Sequence, residues 1–284
     1  MVLTDDQRAL QETARRFARE RLLPDYQKRE KLGVLDRALI AEMGRLGLIG
    51  VDLPEEVGGL GVDAVTTGLI AEELAYGDFN VSAVPVGVSL IAAILIRHAQ
   101  PALVAEWVPR MTRGEAVVAI CLTEPRGGSD ASKLQLRARR DGDDYLLNGE
   151  KTSITFADRA DAYLVFARTG TPESGAKGVS AFFIPYEGTK GISRTAFNDL
   201  GSAIIGRGSV FLDDVRVPAS HRLGGEGKGF TQVMQGFDYS RALIALQCCG
   251  AAQASLDEAW AYAKEREAFG KPIGHFQGVS FPLA

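Results

Sequence analysis

Apolar residues in the first part of the chain recur at three- and four-residue steps. Leu10, Ala14, Phe17, Ala18 and Leu22 fall on one face of a helix. Ahead of them Thr4-Asp5-Asp6-Gln7 has the form of a capping box, with Thr4 as N-cap and Gln7 reaching back. Pro24 follows the periodic run and is expected to end it. The spacing predicts a second helix over 35–47 and others over 63–76, 80–98 and 101–112. Between them "LPEEVGGLGVD" reads as a loop, broken by Pro54, Gly58, Gly59 and Gly61.

Near residue 115 the period changes. "AVVAICL" is a short apolar run of the kind a buried strand needs. "LQLRARRDGDDYLLNGEKTSI" alternates on both sides of Asp141-Gly142, a hairpin signal. "AYLVFAR", "GVSAFFIP" and "GSVFLDDVRV" continue the strand pattern, and strands at this spacing suggest a small barrel or sandwich. After "LGGEGKGF" the helical period returns from Phe230 to about Arg266, and "HFQGVSFPLA" has the look of another helix beginning. Helices, then strands, then helices give an α+β chain in separate blocks rather than alternating βαβ units. The expected division is an N-terminal helical domain over 1–115, a middle β domain over 116–223, and the start of a C-terminal helical bundle over 224–284.

Composition narrows the function classes. The 284 residues are 46% hydrophobic and 24% charged, as in ordinary globular domains. A net charge of -4 and no long Lys/Arg run argue against a nucleic-acid surface. Cys121, Cys248 and Cys249 form no CxxC, so reduced thiols and a cytoplasmic setting are expected. His98, His221 and His275 are scattered without ligand spacing, so no metal site is expected. The N-terminus carries acids and lacks the apolar core of a signal peptide. "LIAAILIRHA" soon meets Arg97, and no membrane-spanning run is expected.

The stretch "TEPRGGSD", Thr123 to Asp130, concentrates candidate chemistry. It lacks the lysine and spacing of a P-loop and the G-x-G-x-x-G of a dinucleotide turn. A surface turn would explain Pro and Gly-Gly, with Ser129 and Asp130 bonding their own backbone. A second polar run, "GEKTSIT", lies one hairpin further on, and the two together could offer N–H and O–H donors to a polar heterocycle.

The order of "LPEEVGGLGVD", "AEELAYGD", "CLTEPRGGSD", "LNGEKTSIT", "VFLDDVRVP", "GKGF", "FDYSRA" and "KEREAFGKPIGHFQ" resembles the acyl-CoA dehydrogenase family of flavoproteins along the whole chain. The resemblance implies the same helical, β and helical domain order, FAD as cofactor, and α,β-dehydrogenation of an acyl-CoA thioester. It places the strand from Ile120 along the flavin, with Leu122 and Thr123 at the ring. It places Ser129 where flavin pyrophosphate meets the CoA arm, and Thr155 near flavin N5. Ser153 stands where most members carry a tryptophan over the ring. Asp238 and Arg241 match positions contacting CoA, and their spacing also suits an intrahelical ion pair. Arg266, Phe269 and Gln277 match residues that reach the flavin of a neighbouring subunit, which implies a homo-oligomer, a dimer or tetramer. Electron-transfer flavoprotein is the implied acceptor.

One part of the family pattern is missing. The usual catalytic glutamate lies past residue 284, and the alternative position before Arg241 holds Ser240. The expectation is therefore a C-terminally truncated member. Asp78 is a candidate second carboxylate, against its plainer reading as a helix cap. A non-catalytic flavoprotein-like scaffold and an acyl-CoA oxidase are the alternatives. The "FDYSRALIALQ" wording and the absent tryptophan are similar to members acting on alicyclic thioesters such as cyclohexanecarboxyl-CoA.

Overall fold

The fold is taken from a computed structural model, which describes residues 2–284. Helix α1 (Asp5–Phe17) opens with the expected box: Gln7 N donates to Thr4 Oγ1 at 3.2 Å, and Thr4 N to the Gln7 side chain at 3.0 Å. Pro24 does not release the chain into a loop. A π turn (Ala18–Leu22) and a 3-10 turn (Leu23–Asp25) carry it into α2 (Tyr26–Leu32), which the periodicity did not predict. Proline fits the first turn of a helical segment because its missing N–H has no partner to lose there. Then come α3 (Arg37–Arg45), α4 (Ala64–Gly77), α5 (Phe79–His98) and α6 (Pro101–Thr112). Asp36, Asp63 and Asp78 cap α3, α4 and α5 through backbone amides.

Helix α5 corrects one expectation. By length and apolar composition it is long enough to cross a membrane. Most of it is buried against the rest of the fold, with Val81, Ile91, Ala92, Ile94 and Leu95 in the core. A helix apolar all round and enclosed by protein is a core helix.

Eight strands follow: β1 (Val118–Cys121), β2 (Arg137–Asp141), β3 (Asp144–Ile154), β4 (Ala162–Arg168), β5 (Val179–Pro185), β6 (Ile192–Ala196), β7 (Gly208–Pro218) and β8 (Arg222–Leu223). Their order is β6-β7-β3-β2-β4-β5-β8, with β1 added to β4 in parallel. Strands β2 and β4 touch through the single pair Arg137 and Arg168, so two half-sheets meet at a seam. The β2–β3 hairpin turns where the alternation places it, with Gly142 at φ +65°. Strands β4 and β5 are buried almost throughout, and Tyr163, Phe166, Phe182 and Phe183 are fully enclosed. The short strands β6 and β8 have too little alternation to stand out in the sequence.

Helix α7 (Gly229–Glu265) spans 37 residues and lies along α4 and α5. The approach is close enough that a Cβ on Gly250 would fall 2.1 Å from the Glu72 carbonyl oxygen of α4. A hairpin of β9 (Glu267–Ala268) and β10 (Lys271–Pro272) and the short α8 (Gln277–Leu283) follow. Trp260 Nε1 ties α7 to α8 through the Leu283 carbonyl at 3.0 Å.

Candidate functional site

The two polar runs meet. Past the end of β1, the Thr123 carbonyl accepts from the Thr152 amide of β3 at 2.9 Å. The chain then turns tightly, with Gly127 N donating to Glu124 O at 3.0 Å. The following glycine lies over Thr123: a Cβ on Gly128 would sit 3.2 Å from Thr123 Cγ2. "TEPRGGSD" and "GEKTSIT" therefore share one rim of the β domain.

The end of β3 is built under strain. Its pairing with β7 shifts register between Lys151 and Ile154, and Ser153 takes φ +57°. Phe156 takes φ +64°, in a region that bulky side chains rarely enter. Ser153 and Thr155 face outward while Ile154 and Phe156 are buried. Such irregularities re-aim side chains and persist only where their surroundings hold them.

What holds this rim is buried. Lys151 is 0% exposed and donates from Nζ to Leu122 O at 2.9 Å and Glu124 Oε1 at 2.8 Å. Glu124, 8% exposed, also accepts from the amides of Gln135 at 2.6 Å and Leu136 at 2.8 Å. Burial lowers the Lys151 pKa, and the Glu124 charge opposes it. Cys121 lies fully buried nearby, its thiol pushed up to about 12 by the same loss of solvent. Sequence reasoning missed Lys151 and Glu124. The available signal was a lysine within an alternating strand that also buries Tyr145 and Leu147, with an acid just after an apolar run.

The predicted cofactor residues divide accordingly. Ile120 is half-buried in β1 opposite Leu164, and Leu122 is buried beside it. Thr123, Ser129 and Thr155 have hydroxyls that make no hydrogen bond among the described residues. Apolar backing with free hydroxyls and glycine-opened backbone suits a flat heterocycle and a phosphate. Ser153 is engaged: its hydroxyl accepts from Arg207 Nη1 at 3.2 Å. Asp199 grips the same guanidinium through two 2.7 Å bonds.

The other predicted residues stand apart. Asp238 and Arg241 on α7 form an exposed ion pair at 3.1 Å. Arg266 caps the end of α7, and Phe269 projects from the hairpin at φ +53°. Phe269 is 95% exposed, so it is not a core aromatic, and Gln277 opens α8 on the surface. Among the described residues, no hydrogen bond joins these three to the hydroxyl rim.

Asp78 lines a cleft of about 470 Å³ between α2, the α4–α5 elbow and α7. Its carboxylate is committed. One oxygen accepts from the amides of Asn80 at 3.0 Å and Val81 at 3.2 Å, the other from Arg29 Nε at 2.8 Å. Capping and ion pairing are the role this geometry assigns it. Ser240 is buried with its hydroxyl turned to the Phe237 carbonyl. Among the described residues no cluster of His, Cys, Asp or Glu could hold a metal ion.

Comparison with known proteins agrees along the chain. Residues 4–115, 119–215 and 227–284 match the N-terminal, middle and C-terminal domains described for acyl-CoA dehydrogenases. A probable acyl-CoA dehydrogenase of Bacillus subtilis (strain 168) is 37% identical over 99% of this chain and 74% of its own. The butyryl-CoA dehydrogenase structure from Megasphaera elsdenii superposes with TM-score 0.92 at 35% identity, covering 100% of this chain and 75% of that one. A glutaryl-CoA dehydrogenase from Mycobacterium smegmatis in complex with FADH2 gives TM-score 0.90 at 32% identity, over 99% and 71%.

Proposed function

The chain belongs to the acyl-CoA dehydrogenase family, and from that premise we propose FAD-dependent α,β-dehydrogenation of an acyl-CoA thioester as its reaction. The observation that carries the reading is the rim itself, where Thr123, Ser129 and Thr155 keep unpartnered hydroxyls over a rigid apolar backing. FAD, when bound, supplies a two-electron acceptor for the β-hydrogen that leaves the thioester with its electron pair.

The chain's own residues bind and orient. Ile120 and Leu122 shield one side from water, Thr123 and Thr155 hydrogen-bond the polar edge of the ring, and Ser129 meets phosphate. Ser153, with Arg207 on its hydroxyl, stands where most members carry a tryptophan over the ring. That replacement is the support for an alicyclic thioester as substrate. The family resemblance assigns Asp238 and Arg241 to the CoA arm, and as an exposed pair each can trade its partner for a polar group of the ligand. The exposed Phe269, with Arg266 and Gln277, fits service to a second copy of the chain. Electron-transfer flavoprotein as acceptor follows from the family premise, and a cytoplasmic setting from the free cysteines. No residue is assigned as the base that takes the α-proton.

The test is anaerobic titration of the full chain. One FAD per chain is expected, with a flavin band that shifts on adding an acyl-CoA. Absence of flavin binding would overturn the cofactor reading. A shift with butyryl-CoA and none with cyclohexanecarboxyl-CoA would overturn the ring-substrate reading alone.

A further inference from the structure

Lys151 and Glu124 make more bonds to the rim than a stabilising ion pair requires. A buried pair replaced by apolar residues of like volume is often neutral in stability, so such a pair is weak evidence for a purely stabilising role. This one is distinguished by what it holds. Lys151 Nζ fixes the Leu122 carbonyl at 2.9 Å, just before Thr123. The Thr152 amide, one residue after Lys151, fixes the Thr123 carbonyl at 2.9 Å. Glu124, the first residue of the turn, is pinned by the Gln135 and Leu136 amides on the turn's far side. The main chain of Leu122 to Glu124 is thereby clamped from three directions, while the Thr123 and Ser129 hydroxyls stay free.

We propose that the Lys151–Glu124 pair is a positioning device, which holds the Leu122–Thr123 segment and the turn carrying Ser129 in the arrangement that receives the flavin. It rests on the flavin reading above and adds residues that touch no cofactor themselves. Preorganised partners strengthen binding by removing the ordering that the ligand would otherwise drive.

The experiment pairs two buried ion pairs in the full chain. Lys151→Met and Glu124→Gln break the rim pair; Arg29→Met breaks the Arg29–Asp78 pair of the helical domain, whose side chains are 10% and 5% exposed. FAD affinity is read by fluorescence titration, and melting temperature is read without FAD. Rim variants are expected to weaken FAD binding at least tenfold, and Arg29→Met at most twofold at a comparable loss of melting temperature. Hydrogen exchange without FAD should speed up at least tenfold at the Gln135 and Leu136 amides in Glu124→Gln. Should Lys151→Met not fold, Glu124→Gln and the milder Lys151→Gln carry the same expectation. Rim variants that bind FAD within twofold of the parent, or affinity losses that merely track melting temperature in all variants, would overturn the proposal. A parent chain that binds no FAD would bring down the flavin reading and this inference with it.

Discussion

The rim of the β domain and the outer side of α7 carry the two halves of the candidate site, and they are built differently. At the rim, main-chain carbonyls are clamped, a lysine and a glutamate are buried beneath, and two non-glycine residues sit at positive φ. On α7, Asp238 and Arg241 satisfy each other in solvent, and relatively few positions of the helix are buried. A group that must be met at fixed geometry needs a preformed partner, and the rim is preformed. A group met by long flexible side chains does not, and those on α7 are free to rearrange. Static geometry therefore supports the cofactor half of the reading more directly than the substrate half.

The largest effect that would break this contrast lies under the rim. Phe166 is fully buried in β4, and Phe166→Ala should cost about 3–5 kcal/mol in urea unfolding. A loss under 1 kcal/mol would mean that the sheet is not the rigid base inferred. In the helical domain, Asp78→Asn keeps a capping side chain but strands Arg29, at a cost of about 3 kcal/mol. In a chain extended past residue 284, exchange of the thioester α-proton should survive the substitution, and its loss there would restore Asp78 as a base.

Alkali should act on the rim side. The Cys121 thiol stays protonated in the folded chain until about pH 12, whereas in the unfolded chain it ionises near its ordinary value. The unfolded state then binds fewer protons, so stability present below that ordinary value falls as pH rises toward 12. The slope approaches about 1.4 kcal/mol per pH unit from this group. Tyr163, also pushed to about 12, adds in the same direction. Cys121→Ala should flatten the alkaline limb of a stability–pH profile, and an unchanged limb would count against the burial argument.

Thr155→Val, which removes one free hydroxyl at nearly constant shape, should weaken FAD binding by about 1 kcal/mol, five- to tenfold. Smallest is Asp238→Asn. An exposed pair of this kind contributes under about 1 kcal/mol, so unfolding should barely change while the affinity for a CoA thioester falls. A large stability loss there would erase the distinction between the two halves.

Much of this was legible in the sequence because local rules and tertiary structure agreed. The capping box at Thr4, the hairpin at Asp141-Gly142 and the long helix after Gly229 all follow from spacing and turn chemistry. The π turn into α2 was not legible, since a proline that ends one helix can equally begin the next turn. Nor was the parallel pairing of β1 with β4, which depends on segments more than forty residues apart meeting in space. At the site, the hydroxyls announced themselves through two polar runs. Lys151 and Glu124 did not, because a charged residue in a strand reads as solvent-facing until its partner is seen. Ser153 looked like a vacancy in a family pattern. Arg207 is what stands beside it.

Helix α7 has a mechanical consequence. At 1.5 Å per residue its 37 residues make a rod of about 55 Å. Gly229 seats its first turn against the main chain of Ser180 and Ala181, and Arg266 closes its last. A tilt of about one degree at the seat swings the far end by about 1 Å over that length. Small changes in the packing of the β domain are thus magnified where Phe269 stands out from the hairpin. The helix is a lever as well as a wall, with its pivot at the Gly229 seat.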